Sequence, residues 1–139
     1  MTATQMAKPG PFGTVLTEPF WKRAEDGKLD IQRCAECGHY QHYPAAVCRR
    51  CWSRSLTWQE ATGLGTVWTF TVVGMPGHPA WQADVPYVLA IVELDEGPRL
   101  MTNIVGSDRE KVGVGDRVRI APRLDRTQPP LQFELVPDP

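Results

Sequence analysis

Two tight cysteine pairs, Cys34-Ala35-Glu36-Cys37 and Cys48-Arg49-Arg50-Cys51, constrain this chain more than any other feature, and they hold all four of its cysteines. Each C-x-x-C pair wraps a turn around a metal, and ten intervening residues suffice to bring both pairs to one ion. Gly38 follows the first pair and suits a crowded turn because it carries no Cβ. Trp52 follows the second pair, so that knuckle departs from the ideal. Four thiolates favour one zinc over iron on availability and chemistry. They also leave no open coordination position, which makes the site structural and not catalytic.

The other uses of paired cysteines fit less well. Structural disulfides need an oxidising compartment, and residues Met1 to Gly13 carry no basic stretch followed by an apolar core. A thioredoxin-like redox pair would sit beside a βαβ pattern, and none is visible. The formal charge of −1 disfavours a general nucleic-acid binder. The longest apolar run, Tyr87 to Val92, is too short to span a bilayer. The expectation is a cytoplasmic protein with no membrane contact.

At 139 residues the chain makes one ordinary domain or two small modules. Residues Met1 to Leu16 lack periodicity and read as a flexible arm. Thr17 is placed to cap a short helix with Pro19 in its first turn, Phe20, Trp21 and Ala24 on its apolar side, and Gly27 at its end. Leu29 and Ile31 then lead a strand into the first knuckle.

Beyond the second knuckle the period becomes two. Thr66 to Val73 alternates, with Trp68, Phe70 and Val72 on one face and Val67, Thr69, Thr71 and Val73 on the other. Tyr87 to Leu94 is nearly all apolar, which predicts a strand buried on both sides. Asp95-Glu96-Gly97-Pro98 turns it into Arg99 to Val105. Arg117 to Ala121 and the Leu131, Phe133, Leu135 alternation complete five strands. The fold class is therefore mainly β: a short N-terminal helix, a rubredoxin-like zinc ribbon, then a five-stranded OB-fold barrel. The expected divisions are 1–28 for arm and helix, 29–58 for the ribbon and 59–139 for the barrel.

An ordered set of motifs resembles the acyl-CoA-associated zinc-ribbon/OB-fold proteins, formerly a domain of unknown function. The set comprises Pro19-Phe20-Trp21, Gly27-Lys28-Leu29, Arg33 to Gly38, Tyr43-Pro44, Cys48 with Cys51, Gly63 to Val67, Pro86-Tyr87, Val92 to Pro98 and Val114-Gly115-Asp116. Trp52, where members often carry glycine, is the main departure. The resemblance implies a non-catalytic accessory subunit that docks, through helix and ribbon, on a thiolase-like, lipid-transfer-type aldolase or hydratase partner. Its barrel would help position the acyl-CoA ester. A single-stranded nucleic-acid-binding module is the alternative, since ribbons and OB-folds both serve that purpose.

Several residues outside the knuckles are candidates for these roles. The loop from Gly74 to Val85 offers Met75, His78 and Trp81 to line an acyl-CoA channel, or to pack as a lid on the barrel end. Phe20 and Trp21 are candidate partner contacts, with core packing as the equal reading. Arg49, Arg50 and Arg54 cluster at the second knuckle, where phosphates, solvent or a partner would suit them. His39, His42 and His78 lack an obvious nucleophile or carboxylate pair, so no catalytic residue is assigned.

Overall fold

The computed structural model describes residues 6–137. Of the arm, residues 1–5 therefore lie outside the described residues. The remainder of the arm is partly docked: the Lys8 side chain is 8 % exposed and its Nζ lies 3.0 Å from Asp84 Oδ2. The same amine sits 4.9 Å from the Trp81 ring centre. Burying an ammonium requires a partner, and the carboxylate and the ring face together supply one.

Helix α1 spans Glu18–Glu25 and buries Phe20 and Ala24. Thr17 stands at its N-cap position but makes no side-chain cap bond. Its Oγ1 instead accepts the Thr14 N–H at 2.9 Å, fastening the arm to the helix start. Gly27, at φ 73°, turns the chain out of the helix, and the Lys28 N–H closes back on the Arg23 carbonyl at 3.0 Å.

The ribbon is a three-stranded sheet in the order β2-β1-β3, with β1 at Asp30–Cys34, β2 at Tyr40–Gln41 and β3 at Leu56–Glu60. Both β1 pairings are antiparallel. Leu29 and Ile31 are fully buried at its base.

A closed five-stranded barrel follows. Its strands are β4 (Leu64–Val73), β5 (Tyr87–Leu94), β6 (Arg99–Val105), β7 (Arg117–Ile120) and β8 (Phe133–Leu135). They close in the order β4-β5-β6-β8-β7, with β6 and β8 parallel and the other pairs antiparallel. This is the OB-fold arrangement. Val67, Val92, Ile104, Val118 and Phe133 fill its interior. Phe20, Ala24, Leu29 and Ile31 belong to the same apolar cluster, so helix, ribbon and barrel share one core.

Two strand readings need correction. The register of β4 against β5 shifts between Val67 and Thr69, a bulge centred on Trp68. A bulge adds one residue and flips the faces beyond it. Phe70 and Val72 therefore lie opposite buried Ala90 and Val88, on the same side as buried Val67, while Trp68 turns outward. Strand β5 is buried on one face only: Val88, Ala90, Val92 and Leu94 point inward, and Tyr87, Leu89 and Ile91 are half-exposed. The apolar run thus encodes a barrel wall with a greasy outer face. No helix among the described residues is long and apolar enough to cross a membrane.

Candidate metal centre

The two knuckles form the same turn. The Gly38 N–H donates to the Cys34 carbonyl at 2.9 Å, and the Trp52 N–H donates to the Cys48 carbonyl at 2.8 Å. Both residues are left-handed, at φ 76° for Gly38 and φ 67° for Trp52. The departure noted in the sequence therefore leaves the turn intact. The knuckle geometry imposes this conformation on tryptophan at a cost of about 1 kcal/mol relative to glycine.

The turns bring four sulfurs together. Cys34 Sγ lies 3.5 Å from Cys51 Sγ, and Cys37 Sγ lies 3.7 Å from Cys48 Sγ. All four lie within 4.8 Å of one another. A tetrahedron with zinc–sulfur bonds of 2.3 Å has edges of about 3.8 Å, so the set fits one ion. These separations are far longer than a disulfide bond, and all four cysteines are free. Cys34 and Cys48 are buried while Cys37 and Cys51 are exposed, one inner and one outer ligand from each knuckle.

The electrostatics favour a bound cation. The Cys37 N–H, 3.4 Å from Cys34 Sγ, helps pull the Cys34 thiol down to about 6. At Cys51 the Ser53 N–H pulls the thiol down, but desolvation and the three neighbouring sulfurs outweigh it and hold the group at about 12. Crowded thiols resist ionising together. A divalent ion among them removes that repulsion.

Support for the site comes from residues the sequence did not single out. Gln32 and Gln41, facing each other across β1 and β2, are both buried. They hold the loop between the knuckles through Ala45, Val47 and Arg49. Nothing in their sequence pattern marks them, because a polar residue on a short strand normally faces water.

The remaining candidates are dispersed. Phe20 is buried against Trp21, with ring centres 4.8 Å apart. It packs in the core, and Trp21 is the half-exposed member of the pair, its Nε1 donating to Tyr43 Oη at 3.0 Å. His78 uses Nδ1 to accept the Ala80 N–H at 3.0 Å, capping a 3-10 helix at Pro79–Asp84. Trp81 folds back on Tyr87, ring centres 5.0 Å apart, while Met75 is 87 % exposed at the loop's start. His42 is half-buried, and its ring Nδ1 is buried with no partner among the described residues. Burial, then the Arg49 charge, pushes it down to about 4.

A largely apolar groove of about 340 Å³ lies on the outer face of β5 and β6, bordered by Trp21, Tyr43, Leu89, Met101 and Pro130. That face and the loop after the first strand are the usual ligand side of an OB-fold. The two barrel arginines that a nucleic-acid reading would use are occupied. Arg117 is held by Asp95 at 2.7 and 2.9 Å, and Arg119 by Glu134 at 2.9 Å.

A closed four-thiolate ribbon sharing a core with a five-stranded barrel defines a zinc-ribbon/OB-fold protein. Residues 21–57 match the family described as "ChsH2, rubredoxin-like zinc ribbon domain", and residues 58–123 match "ChsH2, C-terminal OB-fold domain". A "DUF35 domain-containing scaffold protein" of Methanothermobacter thermautotrophicus is 30% identical over 101 residues, 72% of this chain and 75% of that protein. The chain belongs to this DUF35 family.

A "Probable enoyl-CoA hydratase alpha subunit" of Thermomonospora curvata is 43% identical over 97 residues, 69% of this chain but 30% of that protein. The chain thus spans about a third of that relative's length. Among solved structures, a chain of the "Ltp2-ChsH2(DUF35) aldolase" superimposes with a TM-score of 0.75 at 34% identity, covering 90% of this chain and 96% of that one.

Proposed function

We propose that this chain is a zinc-stabilised, non-catalytic accessory subunit of a thiolase-like or lipid-transfer-type enzyme that acts on acyl-CoA thioesters. It helps the complex assemble and helps position the acyl-CoA. The observation that carries this reading is the near-complete match to a DUF35 chain within an aldolase complex. Relatives named as subunits of acyl-CoA hydratases point to the same substrate class.

The local chemistry supports a supporting role. Cys34, Cys37, Cys48 and Cys51 would hold one zinc, whose contribution is to fix the knuckles and the surface around them. His78 spends its ring nitrogen on a helix cap, and His42 stays neutral inside the fold. Neither is poised as a base beside a nucleophile. The opening helix would meet the partner with the ribbon of residues 29–58, leaving the barrel of 59–139 for the ester. Trp21 would be the partner-facing residue of the helix, since Phe20 is packed behind it. Met75, His78 and Trp81 would border the acyl-CoA channel from the barrel's first loop. Free thiols at metal-binding spacing suit a reducing cytoplasm.

Co-expression with the host's own thiolase-like, aldolase and hydratase subunits, followed by size exclusion with light scattering, tests the reading. A stable heteromer is expected, with the isolated chain inert towards CoA thioesters. Turnover by the isolated chain, abolished by one side-chain change, would overturn the accessory role.

A further inference from the structure

Trp52 is anomalous in three ways at once. Its backbone is left-handed at φ 67°, a conformation that the equivalent turn of the first knuckle assigns to glycine. The residue is 78 % exposed. It also takes part in none of the aromatic or cation–π contacts among the described residues. The fold thus holds a large aromatic in a disfavoured conformation and gains little packing from it. Strain with no internal compensation points to a use outside the chain.

The surroundings indicate what kind of surface it meets. Arg49, Arg50 and Arg54 flank it in sequence and are all exposed, and Glu36 is the sole acidic residue between Cys34 and Arg54. None of the three arginines forms a salt bridge among the described residues. Arg49 donates to the Tyr43 carbonyl, leaving Arg50 and Arg54 as the open cations. Exposed tryptophan and arginine together are the composition of an interface hot spot. A nucleic-acid strand would want several aromatics along a basic track, and this knuckle offers one.

We infer that the second knuckle is a docking surface in which Trp52 enters an apolar pocket on the partner enzyme subunit while Arg50 and Arg54 pair with carboxylates at that pocket's rim. This inference rests on the accessory-subunit reading and gives it a contact point. The charge pairs steer the encounter and fix its orientation, and the tryptophan supplies the desolvated anchor.

The test uses the full chain and the host's thiolase-like subunit found to assemble with it. Wild type, Trp52→Gly, Trp52→Asn and the double variant Arg50→Glu/Arg54→Glu are compared by calorimetric titration, with zinc content and melting temperature measured on each. Glycine and asparagine both tolerate the left-handed turn. Both Trp52 variants should keep one zinc, melt no lower than wild type and bind the partner at least tenfold more weakly. The charge reversal should weaken binding as much, and wild-type affinity should fall with added salt. Partner affinity within twofold of wild type for both Trp52 variants overturns the docking surface alone. Weakening that tracks zinc loss across the variants overturns it too, since the knuckle would then act through its fold. Tight, salt-sensitive binding to oligo-dT that disappears in Trp52→Gly assigns the surface to nucleic acid instead. A wild-type chain that assembles with no subunit overturns the accessory reading itself, and this surface with it.

Discussion

Gln32 and Gln41 face each other across β1 and β2, and their buried side chains are joined by a bond of 2.8 Å from Gln41 Nε2 to Gln32 Oε1. Gln32 Oε1 also accepts the Ala45 N–H at 2.9 Å, and its Nε2 donates to the Ala45 carbonyl at 3.0 Å. Gln41 Oε1 accepts the Arg49 N–H at 2.9 Å. The pair thus ties the first knuckle's hairpin to the segment that delivers the second. Buried amides are worth keeping only when satisfied, and here both oxygens and both nitrogens have partners.

Gln32→Ala would strand the Ala45 amide and carbonyl. It should lower stability by about 1–3 kcal/mol and speed zinc loss to a chelator. Thermal melts and timed zinc release check this. A variant that melts and releases zinc like wild type would show that water replaces the side chain.

Metal analysis should give close to one zinc per chain. Cys34→Ser or Cys48→Ser should lose it and unfold the ribbon, because the metal supplies folding energy to a segment too small for its own core. Retention should weaken on acidification, since the ligands must be deprotonated. An intact ribbon in metal-free protein would refute the structural role.

His42 gives a second acid sensitivity with a defined window. Its folded value, about 4, lies below the ordinary 6.5, so the unfolded chain binds the extra proton. Stability should therefore fall as pH drops below about 6.5 and level off near 4, by about 3 kcal/mol at most. His42→Phe should lose less stability than wild type between pH 7.5 and 5. Equal losses would place the whole acid effect at the thiolates.

Gly65 is required by close approach. A Cβ there would sit 2.6 Å from the Glu93 carbonyl oxygen and 2.6 Å from Val92 Cγ1. Gly65→Ala should cost about 1–3 kcal/mol, read as a lowered melting temperature. Gly77→Ala meets open space and serves as the control.

Trp81→Ala should raise the partner's KM or lower its kcat while zinc stays bound, if the loop borders the acyl-CoA channel. Unchanged partner kinetics would leave Trp81 as a lid held by Tyr87 and Lys8.

The metal ligands and the five strands were legible because their signals are local. Cysteine spacing encodes the knuckle turn, and period-two alternation encodes a strand with one wet face. Where a signal depends on register, the sequence misled. The bulge at Trp68 inverts half of β4 without any residue that announces it, and the apolar outer face of β5 looked like burial.

What the sequence determined by itself was the chemistry of the four sulfurs and the order of the elements. Only the tertiary structure decided which polar groups are buried, because burial of Gln32, Gln41, the His42 Nδ1 and the Lys8 side chain depends on neighbours brought from elsewhere in the chain. It also decided that Phe20 packs inward and that Trp52 stands out. A side chain's exposure is set by long-range packing, and no local pattern specifies it.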